Sequence, residues 1–323
     1  MVYPVSSTPY PAGSSNPDPA YTGIFIPTIW SGKLIEKFYD ATVLAAIANS
    51  DYEGEISNQG DKVIIRTKPT ITINEYEAEQ ALEVERPSSN IVELLIDKGF
   101  YFNTILDDVM ETQADLNLLS MWSDDASEQM KIHIDTEVLA YLPTEIAAAN
   151  MGPGAGRISG AIDLGETGSP LEVVSRAPAA GETEIIDVIT RLGQTLDEQN
   201  IPETGRWLVI PAWIAAMIKR SELRDASLVG DSQSMLRNGR LGMIDRFTVY
   251  MSNLLPNPGD PSEYYMYAGH SHGFTFASQL TKVETLRGES TFGTYLRGLQ
   301  VYGRKVTDGI ALAAAVVAAP AAP

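Results

Sequence analysis

Cysteine is absent from the 323-residue sequence, and histidine occurs only three times. Without cysteine the chain has no disulfides, no thiolate metal sites and no thiol catalysis. Basic residues are also scarce: 23 Lys and Arg stand against 42 Asp and Glu, giving a formal net charge of −19. An acidic surface repels phosphate, which argues against nucleic-acid binding by counterion release and against docking on anionic lipid.

The sequence also lacks long apolar runs. Its longest run, residues 310–319, is alanine-rich and too short to span a bilayer. The first residues have neither a basic start nor an apolar core, so they do not form a signal peptide. These features predict a soluble, acidic protein made in the cytosol, and the length predicts one large or two ordinary domains.

The first 28 residues are rich in proline, serine, glycine and tyrosine and carry one charged residue, Asp18. Proline disfavours a helix here, and the segment lacks the alternation of a strand. Its aromatic residues, together with the nearby Trp30, are unusual for a linker. We therefore expect an arm that lies along the surface of a neighbouring copy, with Tyr21 and Trp30 among its contacts.

A helix and a long hairpin are predicted next. Ser31 can cap a helix whose apolar residues recur at three- and four-residue spacing as far as Asn49. Alternating apolar residues predict strands over 62–67 and 70–74, and a third strand is predicted over 90–97. The acidic stretch between the last two strands is typical of an exposed hairpin. Its glutamates are Glu75, Glu77, Glu79, Glu83 and Glu85.

A long helix leads into a second lobe. Residues 115–142 contain no Gly or Pro and carry an apolar stripe in steps of three or four, which predicts one helix about 42 Å long, capped by Asp115. A Gly- and Ala-rich crossing over 150–181 follows. Beyond it the pattern predicts a helix over 182–200, a helix opened by Pro211, and strands over 207–210, 247–251, 264–268, 274–277, 282–287 and 295–306. Helices and strands alternate in the middle while strands dominate the ends, so the fold class is α+β.

No catalytic constellation emerges from the sequence. His270 and His272 form an H-x-H motif, which on a strand would place both imidazoles on one face, as a metal site requires. The motif specifies no third ligand, and its flanking glycines are equally typical of a turn. Neither a nucleophile elbow nor a phosphate loop is present. We therefore predict no enzymatic activity and no catalytic, metal or cofactor-binding residues. A metal-dependent enzyme using the two histidines is the less favoured alternative.

The arm, the hairpin and the long helix have more surface than one compact domain can bury. Copies of the same chain could bury it, which predicts a homo-oligomer. Three late arginines, Arg287, Arg297 and Arg304, are candidates to contact the hairpin glutamates of a neighbouring copy. Exposed ion pairs contribute about 0–1 kcal/mol each, so they would orient the contact. Apolar burial at about 25 cal/mol/Å² would stabilise it.

Several runs occur in an order that resembles a known family: GDKVIIRTKPTITINEY at 60–76, GRWLVIPAWIAAMIKRSEL at 205–223 and STFGTYLRGLQVYGRKVTDGIAL at 290–312. Together they resemble the tailed-phage major capsid protein of the HK97-like fold. The resemblance implies an N-terminal arm over 1–28, a first peripheral-domain helix over 29–50, an extended loop over 51–97, a spine helix over 98–150, an α/β axial domain over 151–280, and peripheral return strands with a C-terminal tail over 281–323.

The resemblance also implies a function. The chain would assemble with itself through hexamers and pentamers into the icosahedral shell of a bacteriophage virion, built in the host cytoplasm around double-stranded DNA. The implied partners are portal and scaffolding or decoration proteins. DNA would be enclosed without sequence-specific binding, and no membrane would be involved. An encapsulin-like compartment shell is the alternative that shares this fold.

Overall fold

The computed structural model describes residues 39–51, 62–66, 68–69, 71–76, 80–82, 84–87, 91–113, 117–221, 242–288 and 291–320. The helices are α1 (Leu44–Ile47), α2 (Asp108–Gln113), α3 (Leu118–Glu145), α4 (Ile185–Glu198) and α5 (Ala212–Arg220). The strands are β1 (Lys62–Arg66), β2 (Ile91–Leu95), β3 (Lys98–Asp107), β4 (Leu171–Val174), β5 (Glu182–Glu184), β6 (Arg206–Ile210), β7 (Met243–Ile244), β8 (Phe247–Met251), β9 (Glu263–His270), β10 (Phe274–Arg287), β11 (Gly293–Val306) and β12 (Leu312–Ala318). This mixture confirms the α+β class.

Seven strands form a mixed sheet in the order β5-β4-β12-β9-β6-β8-β7. Helices α4 and α5 share a hydrophobic core with it, because α4 turns Val188, Ile189, Leu192 and Leu196 to one side. All five residues of β6 are buried, as expected for a strand covered on both faces. Pro211 lies at the N-cap of α5, one residue earlier than the first helical position that the sequence predicted.

The alanine-rich strand β12 lies inside this sheet, with all seven residues buried. It pairs antiparallel with β9 and parallel with β4. Ala313 and Ala315 belong to the core on the side of α4 and α5, while Leu312 and Ala314 belong to the opposite core. The sequence analysis placed this segment in a peripheral return and tail over 281–323. The structure corrects that placement, because β12 lies inside the seven-stranded sheet. Its small alanine side chains let it fit between the two packed layers.

A second sheet has three antiparallel strands in the order β10-β11-β3. Strand β10 is continuous, with a register shift between Ser278 and Leu280, where the sequence predicted two separate strands. A bulge of this kind bends a strand without ending it. The expected domain boundary at residue 280 therefore falls within one strand.

Strands β1 and β2 pair as an antiparallel ribbon, which confirms the strands predicted over 62–67 and 90–97. Inner residues such as Ile65 and Leu94 pack on Ala277 of β10. At its base the ribbon passes so close to β11 that a Cβ at Gly303 would lie 2.4 Å from a carbonyl oxygen of the ribbon, so glycine is required there. The strand predicted over 70–74 is wrong for residues 71–74, which belong to no strand and have no strand partner among the described residues.

The helix predicted over 31–49 is much shorter in its described part. Residues 39–43 are not helical, and α1 contains only four residues. The predicted cap Ser31 lies outside the described residues. Val43, at the N-cap of α1, and Ile47 within the helix nevertheless belong to the core, so the apolar spacing marked buried positions correctly. No helix in the described part of the chain is long and apolar enough to cross a membrane.

Helix α3, the spine, has 28 residues and confirms the predicted long helix. Asn117 caps it by accepting the backbone N–H of Ser120, whereas the predicted cap, Asp115, lies outside the described residues. Its buried residues all lie in the second half, from Ile134 to Leu142, in a core shared by both sheets. The first half is only partly covered.

The spine continues through Pro143 for a reason that the sequence did not show. Proline has no N–H to donate to the carbonyl oxygen four residues earlier, which belongs to Leu139. The Tyr267 hydroxyl of β9 donates to that oxygen instead, at 3.0 Å in a buried position. The lost helical hydrogen bond is thus replaced by one that ties the spine to the seven-stranded sheet.

We expect Tyr267→Phe to lower the free energy of unfolding by about 1–3 kcal/mol, because it leaves a buried carbonyl without a donor. In a Pro143→Ala background the alanine N–H can donate to the same oxygen, so the Tyr267→Phe loss should shrink. Denaturant unfolding of the four proteins of this double-mutant cycle measures the coupling. Equal losses in both backgrounds would contradict the proposed replacement.

Candidate assembly surfaces

The three-stranded sheet has one covered face and one open face. Phe100 and Leu296 face the spine, where the Phe100 ring lies 4.3 Å from the His133 ring and Leu296 is buried. Strand residues alternate between faces, so the residues between these point the other way. The open face consists of Tyr101, Leu299 and Lys282 in one cross-strand row and Asn103, Arg297 and Glu284 in the next.

The open face contains a pocket with a volume of about 460 Å³. Tyr101 is 78% exposed and lies opposite the exposed Leu299, which puts apolar area beside charged groups. On the covered face, glycine at position 298 leaves room for the Phe102 ring, since a Cβ there would come 2.2 Å from that ring. Glu284 is paired with Lys282 and with Arg297, and these hydrogen bonds lower the pKa of its carboxyl below the ordinary value.

The structure places the three predicted contact arginines along this sheet, and each is ion-paired within its own chain. Arg287 forms a two-pronged pair with Asp108, and Arg297 pairs with Glu284. Arg304 pairs with Glu137 and lies 4.2 Å from the centre of the Tyr141 ring. The side chains of Arg287 and Arg297 are 62% and 51% exposed, whereas Arg304 is 11% exposed. Two of the three can therefore accept a second partner.

The ribbon β1–β2 also has an exposed face. Ile64, Ile91 and Leu95 alternate there with Lys62, Glu93 and Arg66. Lys62 and Glu93 form an ion pair at 3.4 Å. The ribbon thus presents apolar side chains to solvent on the side opposite to its contact with β10.

Beyond the ribbon, residues 71–76, 80–82 and 84–87 form the extended segment, and every described residue in it is exposed. Five of its side chains are large and apolar: Ile71, Ile73, Tyr76, Leu82 and Val84. Ile73 and Val84 are 89% and 88% exposed. Exposed apolar area of this extent marks a site of protein contact.

The predicted hairpin glutamates belong to the same segment. Glu75 and Glu85 are exposed, and Glu85 accepts the backbone N–H of Thr72 at 2.9 Å, which joins the two sides of the segment. Glu77, Glu79 and Glu83 lie outside the described residues, as do Tyr21, Trp30 and the whole predicted arm. The structure therefore places two of the predicted acidic contact residues beside the exposed apolar side chains.

A further apolar patch lies at the end of the three-stranded sheet. It consists of Val109 and Met110 of α2, Leu286 of β10, and Phe292 in the turn before β11, all exposed. The Asp108 backbone N–H donates to the Phe292 carbonyl at 3.2 Å, which holds α2 against that turn. We call these four residues the tip patch.

Of the two histidines of the metal hypothesis, His270 is the last residue of β9 and His272 lies in the turn that leads to β10. Their rings stack with centroids 5.3 Å apart, and His270 Nδ1 accepts the His272 backbone N–H. Burial and then the nearby His272 lower the pKa of His270, which favours its neutral form. Within the described ranges, no group of three His, Cys, Asp or Glu side chains could hold a metal ion. The third ligand that the hypothesis requires is therefore not found there.

Sequence reasoning identified the charged residues of these surfaces but missed most of the apolar ones. Ile71 and Ile73 alternate with threonine, a pattern that predicts a half-buried strand. The structure shows no strand partner for them in the described part of the chain. Phe292 and the α2 residues carried no periodic signal, so only the fold reveals the tip patch.

Comparison with known families accounts for the ribbon, the extended segment and the long spine occurring in one chain. A family model described as phage capsid protein matches residues 98–321, more than half of the sequence. The chain belongs to the phage capsid protein family. This match and the solved structures below confirm the resemblance to tailed-phage major capsid proteins and the prediction of a structural capsid protein.

Several solved structures share the fold of this chain. A Mycobacterium phage Che8 structure is 25% identical, with a TM-score of 0.71 over 91% of this chain and 97% of its own. The capsid of the cyanophage P-SCSP1u is 14% identical, with a TM-score of 0.67 over 93% and 94%. The capsid of a native GTA particle is 14% identical, with a TM-score of 0.64 over 94% and 98%. No curated protein sequence matches the chain. The capsid protein therefore has the HK97-like fold that its sequence predicted.

Proposed function

We propose that this capsid protein builds its shell from hexamers and pentamers of itself, and that the extended segment supplies the principal contact between copies. The observation that carries the proposal is the exposure of five large apolar side chains in a segment that has no strand partner among the described residues. Burying one such side chain contributes about 1.5–3 kcal/mol. In a single copy these side chains stay exposed to solvent, and contact with a neighbouring copy would bury them.

The open face is the surface that we assign to receive the extended segment of a neighbour. It offers exposed apolar area at Tyr101 and Leu299 next to the exposed basic groups Lys282 and Arg297. The incoming segment carries glutamates between its apolar residues. Opposite charges at the rim would set the register, while apolar burial would supply the affinity. Arg287 can act in the same way, whereas the covered Arg304 has little surface to offer.

The other exposed parts fit the same scheme. We assign the tip patch and the partly covered first half of the spine to further contacts between copies. The arm over 1–28, with Tyr21 and Trp30, remains a predicted contact with a neighbour. The domain assignment implied by the family likewise stays a proposal, with the correction that β12 belongs to the seven-stranded sheet.

The net charge of −19 supports a shell that encloses double-stranded DNA in a virion without gripping it. Assembly in the host cytoplasm with portal and scaffolding or decoration proteins belongs to this proposal. The phage capsid family match favours this role over an encapsulin-like compartment. It also supports a structural rather than catalytic protein, with no cofactor.

The test is the double substitution Ile73→Ser and Val84→Ser in the full chain. Both side chains are almost fully exposed, so folding should be unaffected. Losing two buried contacts of about 1.5–3 kcal/mol each should raise the protein concentration needed for assembly by about a hundredfold or more. Sedimentation and electron microscopy report the assembled fraction.

Ile158→Ser is the matched control, because Ile158 is 77% exposed but lies outside all of these surfaces. It should assemble as the wild type does. If wild-type protein stays monomeric at micromolar concentration over a range of salt, the proposed self-assembly is wrong. If the double variant assembles normally while the wild type forms particles, the assignment of the contact is wrong.

A further inference from the structure

The spine carries an ionisable group that the assembly surfaces do not use. Asp135 is 1% exposed and is the most buried acidic residue in the described part of the chain. Its Oδ2 atom accepts the Val43 backbone N–H at 2.9 Å, and the Leu44 backbone N–H also bonds to the carboxylate. The Asp135 side chain thereby holds the first residues of α1 on the spine.

The burial of this carboxylate is only partly offset by hydrogen bonds. Its second oxygen, Oδ1, is buried and has no hydrogen-bond partner among the described residues. Proteins rarely bury a charge without pairing it, because the charge loses its hydration. The group therefore combines two hydrogen bonds that favour the ionised form with a burial that opposes it.

Both apolar and polar side chains surround Asp135, and the polar ones include Thr42 and Ser50. Asp135 lines a cavity of about 330 Å³ together with Leu44 and Ala45 of α1, Ile134 of the spine, Phe276 of β10 and Gln300 of β11. From α1, β10 and β11 no titratable side chain lines this cavity in the described structure. The remaining charged group, Lys131, lies one turn earlier on the spine and is paired with Glu128 at 2.6 Å. Among the described residues, no cation forms an ion pair with Asp135.

We propose that Asp135 is a proton-operated clasp, which holds α1 on the spine more firmly when the carboxyl is protonated than when it is ionised. A neutral carboxyl can still accept the Val43 N–H through its carbonyl oxygen, and it avoids the cost of a buried charge. Raising the pH weakens the contact between Asp135 and the backbone at the start of α1. The clasp acts within one copy, so it does not depend on the proposed assembly contacts.

The direction of the pH effect follows from linkage. Burial raises the pKa of Asp135 above its ordinary value of 3.8, and this outweighs the two backbone hydrogen bonds that lower it. A group with a raised pKa in the folded state stabilises that state fully below its unfolded pKa. The contribution is lost as the pH rises through the folded pKa. The contact of α1 with the spine should therefore be firmest in acid.

Hydrogen exchange of the full-length protein tests this inference. Amide protection over residues 39–51, corrected for the intrinsic pH dependence of exchange, should fall between about pH 4 and pH 8. The fall should reach at most about tenfold for each unit by which the pKa is raised. In Asp135→Asn, which keeps an acceptor oxygen without the charge, protection should be independent of pH and no lower than the wild-type value at pH 8.

Asp124→Asn is the matched control, because Asp124 is an exposed aspartate on the same helix. It should keep the wild-type pH profile. The wild-type profile alone tests the sign of the effect, even if a variant fails to fold. Protection that is constant or rises with pH would overturn the inference, and so would loss of protection at every pH in a folded Asp135→Asn protein.

Discussion

Asn150→Ala is expected to lower the free energy of unfolding by roughly 2–5 kcal/mol. The Asn150 side chain is completely buried where the turn after the spine meets the approach to β12. Its Nδ2 group donates to the carbonyl oxygens of Ile310 and Leu312, at 2.8 and 2.7 Å. Its Oδ1 atom accepts from Gln199 Nε2 at 2.7 Å. Alanine would remove three hydrogen bonds at once and leave their partners unpaired around a buried position.

Denaturant unfolding followed by tryptophan fluorescence measures this loss. Wild type and variant must be compared at one protein concentration, because self-assembly adds to the apparent stability. Asn103→Ala is the control, since Asn103 lies exposed on the open face and its replacement should change stability by no more than about 0.5 kcal/mol. A comparably small change for Asn150→Ala would show that other donors or water satisfy the three groups.

Local patterns predicted the elements whose burial follows a simple period. The spine has steps of three and four residues with no internal glycine, and its length agrees with the structure. Helix α4 and strands β1, β2, β8 and β9 were predicted for similar reasons. Pro143 marked the expected helix end, and only the Tyr267 hydroxyl, from a strand more than 100 residues away, explains why the helix continues.

Strand β12 shows what a local pattern cannot provide. Alanine has a high helix propensity and a low strand propensity, and a strand buried on both faces shows no alternation. It is a strand because it pairs with β4 and β9, which are distant from it in the sequence. The four-residue α1 is a related case. Its apolar spacing identified buried positions, but α1 is held by Asp135 of the spine rather than by its own length.

The candidate surfaces were predictable in composition but not in geometry. The glutamate-rich segment and the late arginines are visible in the sequence. The partners of the arginines are not, because Asp108, Glu284 and Glu137 come from a short helix, a strand and the spine. A residue that sequence reasoning leaves available for a neighbour can already be paired within its own chain. Exposure of the apolar side chains therefore identifies the assembly surface better than charge does.

The two halves of the spine should respond differently to the same substitution. Leu139→Ala is expected to lower the free energy of unfolding by about 2–5 kcal/mol, because Leu139 is completely buried in the core shared by both sheets and alanine would leave a cavity. Leu119→Ala, in the partly covered first half, is the matched control and should cost about 1 kcal/mol or less. Denaturant unfolding at equal protein concentration measures both, and sedimentation of Leu119→Ala reports assembly separately. Equal losses of stability would mean that the first half is as important for folding as the second, which would contradict its assignment to contacts between copies.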